Sequence, residues 1–178
     1  VGIPSVVYGW IGLTILVPFI KNLFDLRFGF SVLAAGIVLA IMIFPTITSL
    51  TADALRSIPK SFRAAAYGLG ATRWQSISTV VVPAAKNGIM TAVILGLARA
   101  FGEALAVAMV IGKTRAFPSS ILEPTNNLTA AIAADMGGAM EGSEYNIALW
   151  TMALLLFLIS LGFIFLIHHI NAKGEKAA

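Results

Sequence analysis

Uncharged apolar runs alternate with short charged stretches along this chain. Residues 1–20 carry no charge; Lys21, Asp25 and Arg27 follow, and residues 28–52 give 25 more positions without one. Residues 87–112 are apolar apart from Arg99 and Glu103, and residues 145–167 add a run of 23 uncharged positions. An α-helix rises 1.5 Å per residue, so about 20 apolar residues cross the hydrocarbon core of a bilayer. The pattern predicts four spanning helices in an all-α membrane protein. Pro18 and Pro45 fall inside or at the ends of the first two spans. A helix in water would break there, but neighbours in a membrane bundle satisfy the freed carbonyls. Trp10 and Trp150 suit interfacial positions.

Composition narrows the picture further. Of 178 residues, 58% are hydrophobic and 11% charged, and the mean hydropathy is +0.91. Such a chain is not intrinsically disordered, which needs low hydrophobicity and high net charge. With no cysteine it has no disulfide framework, thiolate metal site or Cys nucleophile. The formal charge of +4 is spread between apolar runs rather than along one stripe, so it points to membrane orientation and not to nucleic acid. The chain opens on Val1 inside an apolar stretch, which reads as the C-terminal portion of a longer protein, residues 1–178 forming one transmembrane domain.

Four spans put residues 51–86 and the C-terminal tail on one side of the membrane, with loops 21–29 and 113–144 on the other. The first side carries Arg56, Lys60, Arg63, Arg73, Lys86, Lys173 and Lys176; the second carries Lys21, Arg27, Lys113 and Arg115. Seven basic residues against four place the first side in the cytoplasm.

That cytoplasmic segment has its own structure. Ile58, Phe62, Ala65 and Leu69 recur at offsets of four, three and four, which lines one face of a short helix beginning near Pro59. Gly68 and Gly70 interrupt the pattern, and Thr72-Arg73-Trp74-Gln75 reads as a capping box opening a second helix that runs towards Pro83. Helix, glycine turn and capped helix make a compact knob suited to docking on another protein. An amphipathic loop on the membrane surface is the alternative that pattern alone leaves open.

Ala65-Ala66, Gly70 and, after nine residues, Val80-Val81-Val82-Pro83 resemble the "EAA" motif, EAA-x3-G-x9-I-x-LP, of the membrane subunits of bacterial ABC importers. Ala64 stands where that motif has its Glu. Gly2-Ile3-Pro4-Ser5-Val6-Val7-Tyr8-Gly9 and Leu97-Ala98-Arg99-Ala100-Phe101-Gly102-Glu103-Ala104-Leu105-Ala106-Val107 are similar to signatures of the phosphate-specific permeases. Met109-Val110-Ile111-Gly112, with Pro118-Ser119-Ser120 and Leu128-Thr129, is closer to the PstC-type subunit than to its PstA-type partner. The resemblance implies a type I ABC importer permease fold, whose complete members have six spans. It also implies a docking and coupling segment, residues 56–83, in which Arg63, Ala64, Ala65, Ala66, Gly70 and Pro83 meet an ATP-hydrolysing subunit. Implied partners are a second permease subunit of PstA type, two ATPase subunits, an external phosphate-binding protein, phosphate itself and membrane lipid. ATP is then bound by the ATPases, and this chain is neither an enzyme nor a cofactor carrier. The sister subunit, a permease for another oxyanion, and a non-transporting membrane scaffold stay open as alternatives.

Gly112-Lys113-Thr114 ends like a Walker A loop, but Val107 occupies the place of its first glycine and an apolar helix precedes it instead of a strand. His168 and His169 are neighbours, about 100° apart on a helix, and do not converge on a metal. Asn127-Leu128-Thr129 fits a glycosylation acceptor, a pattern common by chance. Gly88, Ala92, Gly96, Ala100, Ala104, Ala108 and Gly112 put a small residue at every fourth position of the third span, a ridge that admits close helix packing. Arg99 and Glu103 are the candidate substrate path. Arg99 lies 13 residues after Lys86 and 14 before Lys113, about 20 Å from either, which is too far to snorkel out of the bilayer. Glu103, four residues on, is expected on the same helix face and able to pair with it.

The charge bias generates a topology test. Ser61→Cys and Lys176→Cys, introduced singly, should both resist an impermeant thiol reagent added outside intact cells; labelling of both would invert the orientation.

Overall fold

The computed structural model describes residues 3–175, with side chains to residue 170; Val1, Gly2, Lys176 and the side chains of Lys173 and Glu175 lie outside what is described. Every regular element among the described residues is helical, and one isolated bridge pairs Gly112 with Thr125. The chain forms α1 (Ser5–Leu23), α2 (Val32–Arg56), α3 (Lys60–Gly68), α4 (Arg73–Ala84), α5 (Lys86–Phe101), α6 (Leu105–Val110), α7 (Leu128–Asp135) and α8 (Glu144–Glu175). Three of these, α1, α2 and α8, are long and apolar enough to cross a membrane; α4 and α5, bent by 67° at their junction, pass the same test only if the bent pair is taken as one span.

The third span departs from expectation. Its apolar stretch does not form one helix over residues 87–112: the helix starts at Lys86, stops at Phe101, and resumes only at Leu105. The small-residue ridge is divided accordingly. Gly88 faces Ala54, whose Cβ would lie 2.7 Å from an added methyl, whereas Gly112 sits at a positive φ between Phe30 and Pro124. The ridge therefore serves different neighbours at its two ends.

Prolines leave their mark on two helices. A proline ring collides with the carbonyl four residues earlier, and in α1 and α4 the turn before Pro18 and Pro83 widens into a π segment, at Gly12–Leu16 and Ser76–Val81. The residues four before these prolines are Thr14 and Thr79, whose hydroxyls donate to Trp10 O at 2.9 Å and Gln75 O at 2.6 Å. Pro45, preceded at that offset by Ile41, sits inside α2 with no π segment.

The contacts divide the chain into two compact units, 1–43 with 98–161 and 44–97 with 162–178. The core of the first unit gathers Val17 and Ile20 of α1, Ala34, Ala35 and Val38 of α2, and Ala106, Val107 and Val110 of α6, followed by Ile111. The short α6 is the centre of this cluster. It reaches α1 because Gly9 has no side chain: a methyl there would lie 2.8 Å from both Ala106 Cα and Met109 Sδ. The amino end of α2 is capped by chain from the 113–127 loop. Ser31 Oγ accepts from Ala34 N at 3.1 Å, while Val32 N and Leu33 N donate to Glu123 O and Ile121 O. These are the orphan amides of a helix start, satisfied without water.

Gly9→Ala should therefore lower the thermal midpoint of the protein, overpacking costing about 1–3 kcal/mol. Gly36→Ala, where an added methyl meets nothing within 4 Å, should leave it unchanged or raise it slightly.

Candidate functional site

Two places in the chain gather the residues that the sequence singled out. The first is the interruption between α5 and α6. A helix end leaves its last carbonyls and first amides without intrahelical partners, and in an apolar medium each must find another. Here Gly102 N still donates to Ala98 O and Glu103 N to Ala100 O, both at 3.2 Å, which tightens the last turn. The Glu103 side chain then folds forward, and its Oε1 accepts from Ala106 N at 3.1 Å, in the first turn of α6. The Glu103 carbonyl accepts from the hydroxyl of Thr129 at 2.7 Å. Thr129 is buried in α7, and the α7 start is fixed in turn by Asn127, whose side chain accepts from Ala130 N at 2.7 Å.

Arg99 lies in the last turn of α5 and is exposed; Glu103 is half-buried in the break. The expected ion pair on a shared helix face is absent, because Glu103 is not helical and its carboxylate is engaged by α6. Among the described residues the two ion pairs are Arg56 with Asp53 and Arg115 with Asp135. The second belongs to a cluster that the sequence did not reveal. Tyr145 OH donates to Asp135 Oδ2, and the Arg115 guanidinium stands 4.5 Å from the centre of the Tyr145 ring. The cluster ties the 113–127 loop and the end of α7 to the start of α8.

The second place is the hairpin α3–α4. The capping box forms as expected: Thr72 Oγ1 accepts from Gln75 N at 3.3 Å and Gln75 Oε1 from Thr72 N at 2.8 Å. Gly70 adopts φ +79, and Gly70 N and Ala71 N donate to Tyr67 O and Ala66 O, a glycine-based helix stop. Ala66, not Ala65, is the buried position of α3, and Phe62 and Leu69 point outward, Leu69 with 90% of its surface exposed. Tyr67 and Trp74 are exposed as well. Of the remaining motif residues, Arg63, Ala64, Ala65, Gly70 and Pro83 are all exposed. Arg63 also reaches Leu55 O in the last turn of α2 at 3.4 Å. The hairpin interior holds one polar anomaly, Ser76, fully buried with no partner for its hydroxyl among the described residues.

Gly112 and Lys113 form a positive-φ turn beside Thr125 and not a phosphate loop, for Thr114 N donates to Thr125 O and Thr125 N to Ile111 O. His168 and His169 are exposed on α8, and no group of potential metal ligands occurs among the described residues.

A family model for the binding-protein-dependent transport system inner membrane component matches residues 1–175. The chain belongs to that family. This inner membrane component is 56% identical, over 98% of its length, to the probable ABC transporter permease protein YqgH of Bacillus subtilis, of which it covers 57%. It is 37% identical to the phosphate transport system permease protein PstC of Haemophilus influenzae, with 89% of this chain and 56% of that protein covered. For the protein of the same name in Mesorhizobium japonicum the figures are 35%, 89% and 54%. The chain thus spans about half the length of the curated relatives it matches. No solved structure matches it. The family description and the apolar helices agree on an all-α, multi-pass protein of the cytoplasmic membrane.

In the sequence of this transport component Thr129 stands out only through the family resemblance, and its tie to the break was not legible there. Asn before an apolar run is a helix-start signal, and it was present at Asn127; the partner of the Thr129 hydroxyl, 26 residues away in sequence, has no local signature.

Gly70 generates the test of the hairpin. Space around it is open, so Gly70→Val strains the backbone alone, by about 1–3 kcal/mol. Amide exchange at residues 73–76 should accelerate in the purified protein, while exchange in α5 stays as in wild type.

Proposed function

We propose that this chain is part of the membrane-spanning permease subunit of an ATP-driven importer of inorganic phosphate. The observation that carries the reading is an exposed arginine in the last turn before a break in a membrane helix, in a chain whose relatives include phosphate transport system permease proteins. A central Arg costs roughly 2.5–3.5 kcal/mol on insertion scales, so it faces protein or a watery cavity. Arg99 lies about 20 Å along α5 from Lys86, deep in the span.

Its guanidinium offers planar, forked donors that match the oxygens of phosphate. Glu103, held by α6, keeps a carboxylate within the same break and limits how tightly an anion is retained. The hairpin α3–α4, with residues 56–83, docks on the ATPase subunits through its exposed Phe62, Leu69 and Trp74 and the basic Arg63, without the glutamate whose place Ala64 takes. Two ATPase subunits bind and hydrolyse ATP, a PstA-type permease subunit completes the path, and an external binding protein delivers phosphate. The cytoplasm lies on the hairpin side. Import of another oxyanion is the second reading, since the relative at 56% identity is named as a permease without a substrate.

Arg99→Gln should abolish phosphate uptake while the complex assembles in the membrane in normal amount. Normal transport by the variant, or a defect wholly explained by failed assembly, would exclude Arg99 from the path.

A further inference from the structure

The break between α5 and α6 lacks the proline that usually forces one. Gly102, Glu103 and Ala104 include no proline, and the apolar residues to either side favour one continuous helix. In such a helix the Glu103 carbonyl would accept from residue 107 and Ala106 N would donate to residue 102. Both groups have found substitutes: the Thr129 hydroxyl for the carbonyl, and the Glu103 carboxylate for the amide. In the interrupted form, then, side chains serve the Glu103 carbonyl and Ala106 N, which backbone groups would serve in a continuous helix. The carboxylate travels with the break. Thr129 does not, since it belongs to α7, which is fixed at its start by Asn127 and at its end by Asp135 with Tyr145 and Arg115.

We infer that Thr129 is a positioning residue that holds the span in its interrupted form, and that release of its bond to the Glu103 carbonyl lets α5 and α6 join. Arg99 sits one turn before the junction, so the joining rotates and shifts its guanidinium relative to α7. The inference rests on the importer reading for its consequence in transport, but the two forms of the span exist independently of any substrate. Opposite perturbations of the pair are available. Thr129→Val keeps the shape and removes the donor; Thr129→Ser keeps the donor. Leu105→Pro places proline at the first position of α6, where it forbids a continuous helix and moves Ala104, αR in wild type, towards an extended conformation; Leu105 is exposed.

The test uses the chain in its assembled transporter, with phosphate uptake measured per complex. Thr129→Val should lose at least about tenfold in maximal uptake rate, Thr129→Ser should stay within about twofold of wild type, and Leu105→Pro should also lose uptake because its span cannot join. Wild-type uptake by Thr129→Val or Leu105→Pro, or a Thr129→Ser defect equal to that of Thr129→Val, overturns the inference. A substrate-independent measurement separates this from a failure of the importer reading, which a wild-type complex that carries no phosphate would reveal. Spin labels at Ala98→Cys and Ala108→Cys, ten residues apart, are about 15 Å apart along a straight helix. Wild type should give that distance and a second one. Leu105→Pro should keep only the second and Thr129→Val should be enriched in the first. A single distance common to all three proteins overturns the inference whatever is transported, and also decides the matter if a variant fails to assemble.

Discussion

In hydrocarbon a backbone amide or carbonyl has no water to fall back on, and an unpaired one costs several kcal/mol. At the break at residues 102–104 two of the freed groups are served by side chains. Thr129 serves the Glu103 carbonyl and the Glu103 carboxylate serves Ala106 N. Once the chain is interrupted there, α6 is free to run into the core of its unit, where Ala106, Val107 and Val110 are almost wholly buried. That placement needs α1 to approach closely, and Gly9 and Gly12 supply the room. The amino end of α2 follows the same rule, its amides taken by Ser31 and by the carbonyls of Ile121 and Glu123. Loop residues 113–127 are therefore part of the membrane domain's hydrogen bonding and not a mere connection.

The prolines obey the same constraint in a different way. Where threonine stands four residues ahead, at Thr14 and Thr79, the helix widens into a π segment before Pro18 and Pro83, and the threonine hydroxyl donates to a carbonyl of the preceding turn. Where isoleucine stands there, before Pro45, the helix stays α. Short π segments commonly accompany function, and the one in α4 lies in the hairpin proposed to meet the ATPases. It leads into the 67° bend by which α4 passes to α5.

The hairpin is organised by local chemistry. A glycine stop at Gly70 and the Thr72–Gln75 box satisfy its own helix ends, which leaves Phe62, Leu69 and Trp74 outside. Exposed aromatic and aliphatic side chains beside Lys60, Arg63 and Arg73 suit a protein partner with an apolar groove and an acidic rim. The Arg63 bond to Leu55 O links this surface to the end of α2, so that a partner's pull on the hairpin would reach a membrane span directly.

What the sequence alone determined here was whatever rests on short-range pattern. Charge-free runs located α1, α2 and α8; Pro59, Gly70 and Thr72-x-x-Gln75 located the ends of α3 and α4, because caps and positive-φ turns are decided within four or five residues. The "EAA"-like residues and the stretch around Arg99 carried the family resemblance that the family match bears out. The tertiary structure decided the rest. Periodicity put Ile58, Phe62, Ala65 and Leu69 on one face, but that Ala66 is the position of α3 that packing buries was not legible in it. A continuous third span, with Glu103 beside Arg99 on one face, was the natural reading of residues 87–112, since nothing local forbids it. The hydroxyl that stabilises the interruption comes from Thr129, on another helix, and the cluster of Arg115, Asp135 and Tyr145 likewise joins three separate segments. Local sequence specifies where a helix can form; where it is interrupted depends on partners that only folding brings near.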